Sequence, residues 1–199
     1  MFPAASLAEV PLGEGWRVTL LVDNEPGPLP PQVETLETKR VHRLSLPTYC
    51  EVDVEQVKDA FAKVRTVGLT PDAIPSIETM GEFLLRAADR RVPFKATAGL
   101  HHPIRSLRAV TYAADSPRAT MHGFLNVFIA AAFAWQSMER EILTAILGEE
   151  DPRAFRFDED ELSWRDRHLS CGEIEMPAGS LLTVSDRVPS RSRCPTCAS

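Results

Sequence analysis

At 199 residues, with 44% apolar and 25% charged residues, the chain is long enough for one sizeable core and is expected to form a single domain. Its net charge of −6 is spread without an extended basic run before the last residues, which argues against a nucleic-acid partner. The start, Met1 to Pro11, lacks a secretory pattern and the longest apolar run, Val127 to Trp135, is too short for a bilayer, so no membrane contact and a cytoplasmic location are expected.

Arg17 to Asp23 (RVTLLVD) is a β-branched, apolar run suited to a buried strand. The four prolines and one glycine of Asn24 to Pro31 then exclude regular structure. Further strands are predicted over Val33 to Lys39, Leu46 to Asp53 and Phe61 to Gly68, the last two flanking a helical turn from Val54 to Ala60. Pro75 to Arg91 reads as an amphipathic helix, with Ser76 as N-cap, Glu78 in the first turn, and Met80, Phe83, Leu84 and Ala87 on one stripe. It feeds Pro93 to Ala98, a strand whose Lys95 and Thr97 share one face while Phe94, Ala96 and Ala98 share the other. Strand, helix and strand at this length form a βαβ unit, so Lys63 and Lys95 are expected at similar heights on parallel strands.

Ala119 to Gln136 is apolar almost all round and predicts a packed helix. A second helix is predicted over Arg140 to Leu147, a short strand or turn over Phe155 to Phe157, and a solvated charged segment over Asp158 to Asp166. The cysteines, Cys50, Cys171, Cys194 and Cys197, are too scattered for a disulfide framework. Cys194 and Cys197 have the spacing of half a zinc site but lack a second ligand pair, so no metal and no cofactor are expected. From Val184 the composition turns polar and basic, and GC-rich codons read one nucleotide out of register there can spell FGSCSFAEPVPDLRV. The domain organisation expected is one α/β domain over residues 1–183 with a disordered or frameshifted tail over 184–199.

An ammonium on the inner face of a buried strand needs either a carboxylate partner or a chemical role. A lysine nucleophile must shed its proton before it attacks a carbonyl, and a second nearby cation favours that loss. Lys63 and Lys95 are therefore candidate catalytic residues, with Glu51 as acid, base or ammonium partner and His101 as a proton relay beyond the Lys95 strand. Arg65, Thr66, Thr97 and His102 are candidate substrate-binding groups, Arg65 with Thr66 suiting a phosphate or carboxylate. The competing reading is an ionic interior without turnover, in which Lys63 and Lys95 pair with Glu51 or Glu37. His122 is the one further histidine near enough in pattern to recruit for a metal.

Ala62 to Gly68 (AKVRTVG), Pro93 to Arg105 (PFKATAGLHHPIR) and Met121 to Phe128 (MHGFLNVF) resemble AKxRTGG, PFKATAGLHHPxR and MHGFLNVF of a bacterial family of longer proteins whose function is uncharacterised. The resemblance covers about residues 45 to 183 and implies a copy truncated at its N-terminus, with Val67 where the family has the first glycine of a pair. More distantly, the two lysine strands separated by one helix resemble those of deoxyribose-phosphate aldolase, a class I aldolase barrel. That resemblance implies a Schiff base on Lys63 with Lys95 as the second cation, although the residues themselves permit the reverse.

The fold class expected is α/β, an incomplete (β/α)8-type barrel, with a smaller α+β sheet as the alternative. The function expected is a lyase or aldolase-like reaction on a small anionic carbonyl substrate. A non-covalent anion-binding barrel and a non-functional remnant are the alternatives.

Overall fold

The computed structural model describes residues 2–3, 13–40, 44–57, 60–68, 70–111, 113–174 and 183–185. Seven strands form one parallel sheet in the order β1 (Phe2–Pro3), β2 (Val18–Leu21), β3 (Val33–Thr38), β4 (Thr48–Cys50), β5 (Phe61–Arg65), β6 (Phe94–Thr97) and β12 (Thr183–Ser185). Helix α1 (Ile77–Asp89) joins β5 to β6, and Ser76 caps it by accepting a hydrogen bond from the Thr79 amide. Register within this unit pairs Lys63 with Lys95 and Arg65 with Thr97, as strand, helix and strand predicted.

The five central strands, β2 to β6, curl into a half-barrel, consistent with an incomplete barrel. One contact measures the curl. In a flat sheet β3 and β6 lie three inter-strand steps apart, about 14 Å, yet Lys95 Nζ of β6 stands 2.6 Å from Glu37 Oε1 of β3. Only a sheet rolled toward a common axis brings those side chains together.

The outer face is apolar and is covered in two ways. Over β4 to β6, Cys50, Ala62, Phe94 and Ala96 pack with Met80, Leu84 and Ala87 of α1 and with helices α2 (Phe124–Trp135) and α3 (Arg140–Gly148) in one core. Over β2 and β3 no described residue is helical between the strands. Leu29, Leu44 and Leu46 from the connecting loops cover Val18, Leu20, Val22, Val33 and Leu36 instead. These loop leucines do the work of the missing crossover helices, which is how short, proline-rich connections still return parallel strands.

Two departures from the sequence reading stand out. The helix expected from Ala119 starts at Phe124, because Arg118–Met121 is strand β8, paired antiparallel with β7 (Ser106–Ala109) as a hairpin. The segment expected to be solvated over 158–166 contains β10 (Glu161–Trp164), central in an antiparallel sheet with β9 (Phe155–Phe157) and β11 (Arg167–Ser170). Leu162, Trp164 and Leu169 are buried there and join the main core, so apolar residues among the charges decide the fold. Thr183–Ser185 pairs in parallel with Lys95–Thr97, and no other residue after Ile174 is described, so Cys194 and Cys197 lie outside the described part. A short helix, α4 (Cys171–Ile174), follows β11.

Candidate active site on the concave face

Alternation along the strands turns Glu37, Tyr49, Glu51, Lys63, Arg65 and Lys95 away from the helices and toward the axis of the half-barrel. Glu37 lies at its centre. Its Oε1 accepts a hydrogen bond from Lys95 Nζ at 2.6 Å, and its Oε2 stands 2.8 Å from Lys63 Nζ. Lys63 Nζ also stands 3.0 Å from Glu51 Oε2, whose other oxygen meets Arg65 Nε at 2.9 Å. The Lys63 contacts are ion pairs with both carboxylates, whereas the Lys95 contact with Glu37 is also a hydrogen bond. Lys95 Nζ further lies 5.5 Å from the centre of the Tyr49 ring, a cation–π contact.

Accessibility is graded along this chain of charges. Side-chain exposure rises from 0% at Glu37 through 3% at Lys95 and 5% at Lys63 to 21% at Glu51 and 54% at Arg65. Solvent therefore meets the cluster at Arg65 and Glu51, while the two amines and Glu37 are nearly dry. Three cations face two carboxylates, which leaves one positive charge in surplus. Burial works to raise the Glu51 carboxyl, but the neighbouring Lys63 and then Arg65 outweigh it and hold Glu51 below the usual carboxylate range.

Of the residues selected from sequence, Lys63, Lys95, Glu51 and Arg65 come together in this one network. Thr66 and Thr97 sit at the strand ends with hydroxyls turned to backbone. Thr66 Oγ1 donates to the Ala98 carbonyl, and Thr97 Oγ1 lies 3.4 Å from the Val64 carbonyl, so both hydroxyls tie β5 to β6. His101 and His102 follow Gly99 and line a cavity beyond the strand ends. His102 is held below the ordinary histidine value by burial, then by the Arg108 and His101 charges.

Glu37, an ion partner in the sequence reading, is the hub, and Tyr49 joins it without a signal of its own in the sequence. The alternation of VETLET places Glu37 on the polar face of β3, and that was the available signal. What the sequence lacked was the curl that carries Lys95 across two intervening strands.

The third resembling motif is structural. His122 Nε2 donates to the Pro75 carbonyl at 2.7 Å, and burial holds the ring below its usual basicity. Asn126 Oδ1 accepts from the Arg105 amide, and its Nδ2 donates to the Ile146 and Glu149 carbonyls, each at 2.8 Å. Gly123 packs where a Cβ would fall 2.5 Å from Ile104 backbone. Together they fasten the loop after β6 to α1 and α3. Among the described residues no group of three or more His, Cys, Asp or Glu side chains is arranged to hold a metal, and no helix is long and apolar enough to cross a membrane. The chain matches no family model, no curated protein and no solved structure.

Proposed function

We propose that this protein is a lyase of the aldolase type, acting on a small anionic carbonyl compound through a Schiff base on Lys95. The observation that carries the reading is the convergence of two nearly dry ammonium groups on a single buried carboxylate, Glu37. Lys95 must give up a proton before attack, and its directed 2.6 Å hydrogen bond to Glu37 Oε1 supplies the acceptor. Lys63 stands on the other oxygen of the same carboxylate and supplies the second cation of the site. Lys63 itself stands against two carboxylates, Glu37 and Glu51, which suits it to the supporting role.

The covalent step balances within these groups. The Lys95 amine forms an N–C bond to the carbonyl carbon, the oxygen takes up protons, and it leaves as water while Glu37 returns to its carboxylate. The resulting iminium draws electrons from an adjacent C–C or C–H bond, and Glu51, kept ionised by Lys63 and Arg65, is the base at the open side. Arg65, half-exposed at the mouth, together with the surplus positive charge, favours an anionic substrate.

The test is trapping with cyanoborohydride in the presence of small oxo acids, read by peptide mass spectrometry. An adduct on Lys95 that disappears in Lys95→Arg is the expected result, and no adduct on either lysine overturns the reading. Resting ion pairs on both lysines favour a second reading, an anion-binding barrel without covalent chemistry. Binding retained in Lys63→Arg and Lys95→Arg, with no adduct, selects that one.

A further inference from the structure

Beyond Thr97, β6 leaves the sheet through Ala98 and Gly99, whose φ angles are 59° and 81°. Thr66 braces this turn from β5, and the chain returns over it as the β7–β8 hairpin. Between the turn and the hairpin lies a cavity of about 290 Å³, at the low end of the size range for ligand pockets. Val67, Val110 and Met121 supply an apolar wall, and His101, His102 and Arg108 a polar one.

Among the described residues no carboxylate lines the polar wall. Arg108 Nε donates to Ser106 Oγ at 3.1 Å, and among the described residues no carboxylate pairs with it. That is unusual on a chain with a net charge of −6. Burial, followed by the Arg108 and His101 charges, keeps His102 less basic than an ordinary histidine, so near neutral pH Arg108 is the main fixed charge. One fixed cation beside an apolar wall suits a monoanion on a short hydrocarbon chain better than a phosphate dianion.

We infer that the cavity under the β7–β8 hairpin binds the carboxylate end of a small aliphatic oxo acid, with Arg108 and His102 on the carboxylate and Val67, Val110 and Met121 on the methylenes. β6 ends at Thr97, two residues beyond Lys95, and the cavity lies past the turn at Ala98 and Gly99. A short straight-chain acid with its carbonyl at the far end from the carboxylate would reach from that cavity toward Lys95. The placement of the carbonyl rests on the Lys95 reading above; the carboxylate site does not.

Pentanoate, which has no carbonyl, tests the site alone. Titration of the full chain by calorimetry, with the His102 ring followed by NMR, is expected to show saturable binding. Arg108→Gln should weaken it about tenfold, the loss of one charge-assisted contact, and Val110→Trp should abolish it by filling the cavity. Arg108 and Val110 are not buried, so both variants should fold, which a thermal melt of each checks. Affinity should also rise as pH falls below the ordinary histidine range and His102, held below that range by burial, gains its proton. The groups around that ring from the facing elements are His101 and Arg108, with uncharged Val67 and Met121 on the β5 and β8 sides. No pentanoate binding, binding unchanged in Arg108→Gln, or inorganic phosphate binding more tightly than pentanoate overturns the inference. Pentanoate binding that Arg108→Gln weakens, without any cyanoborohydride adduct from 5-oxopentanoate, supports the carboxylate site while sinking the Schiff-base reading.

Discussion

Replacing Glu37 with glutamine tests whether one carboxylate neutralises both amines. The change keeps the shape and removes the charge. Lys63 retains Glu51 at 3.0 Å, but among the described residues Lys95 keeps only the Tyr49 ring at 5.5 Å and is left there as a buried cation without a counter-ion. Breaking a buried pair in this way costs about 3–5 kcal/mol. With a urea dependence of about 2 kcal/mol per molar, the unfolding midpoint should fall by roughly 1.5–2.5 M. A second variant, Glu37→Gln with Lys95→Met, removes the stranded charge and should recover at least half of the loss. Urea titration followed by far-ultraviolet circular dichroism reads both. A loss below about 1 kcal/mol in the single variant, or no recovery in the double one, would refute the shared-carboxylate geometry.

Gly99→Ala places a Cβ 2.5 Å from Val67 Cβ in a residue with φ of 81°, and should cost about 2–4 kcal/mol from clash and backbone strain together. Adding Val67→Gly relieves the clash and should return all but roughly 1 kcal/mol, as thermal melts will show. Asn126→Ala strands the Arg105 amide and the Ile146 and Glu149 carbonyls; the expected loss is about 3 kcal/mol, with faster hydrogen exchange at the Arg105 amide. Glu51 binds its proton less readily in the folded state than in the unfolded one. Its contribution to stability is therefore full above the ordinary carboxylate value and is lost as pH falls through the lowered one. Glu51→Gln should flatten that part of the acid dependence between about pH 5 and pH 3 in urea titrations, while a parallel profile would count against the ion pairs.

Local rules made the β5–α1–β6 unit legible. The Ser76 cap, the apolar stripe of α1 and the alternation around Lys63 and Lys95 all act within a few residues, and each matches the structure. Elements set by distant partners were harder to read. Arg118–Met121 continues an apolar run into α2, and only its pairing with Ser106–Ala109 makes it a strand. Glu161–Trp164 lies under a run of acidic residues, yet two neighbouring strands and Glu149, which meets Trp164 Nε1 at 3.3 Å and Arg165 Nε at 2.9 Å, hold it in place. The hub role of Glu37 depends on curvature summed over four strands, which no local pattern encodes.

Stability alone gives a poor account of why the concave face keeps these charges. Each ion taken from water loses hydration worth several kcal/mol, and well-packed apolar residues of similar volume in such positions are often as stable or more so. The outer face of the same strands already uses that solution, with Ala62, Phe94 and Ala96 interleaved between the charged positions. A chain able to build an apolar inner face from the same alternation instead carries two amines on one sealed carboxylate, and opens the network to solvent at Glu51 and Arg65. Under the proposed function that gradient, dry at the amines and wet at the guanidinium, lets an anion approach from solution toward the buried lysine. It gives no advantage to a network whose purpose is to hold strands together, because an exposed pair such as Arg65 with Glu51 adds little stability.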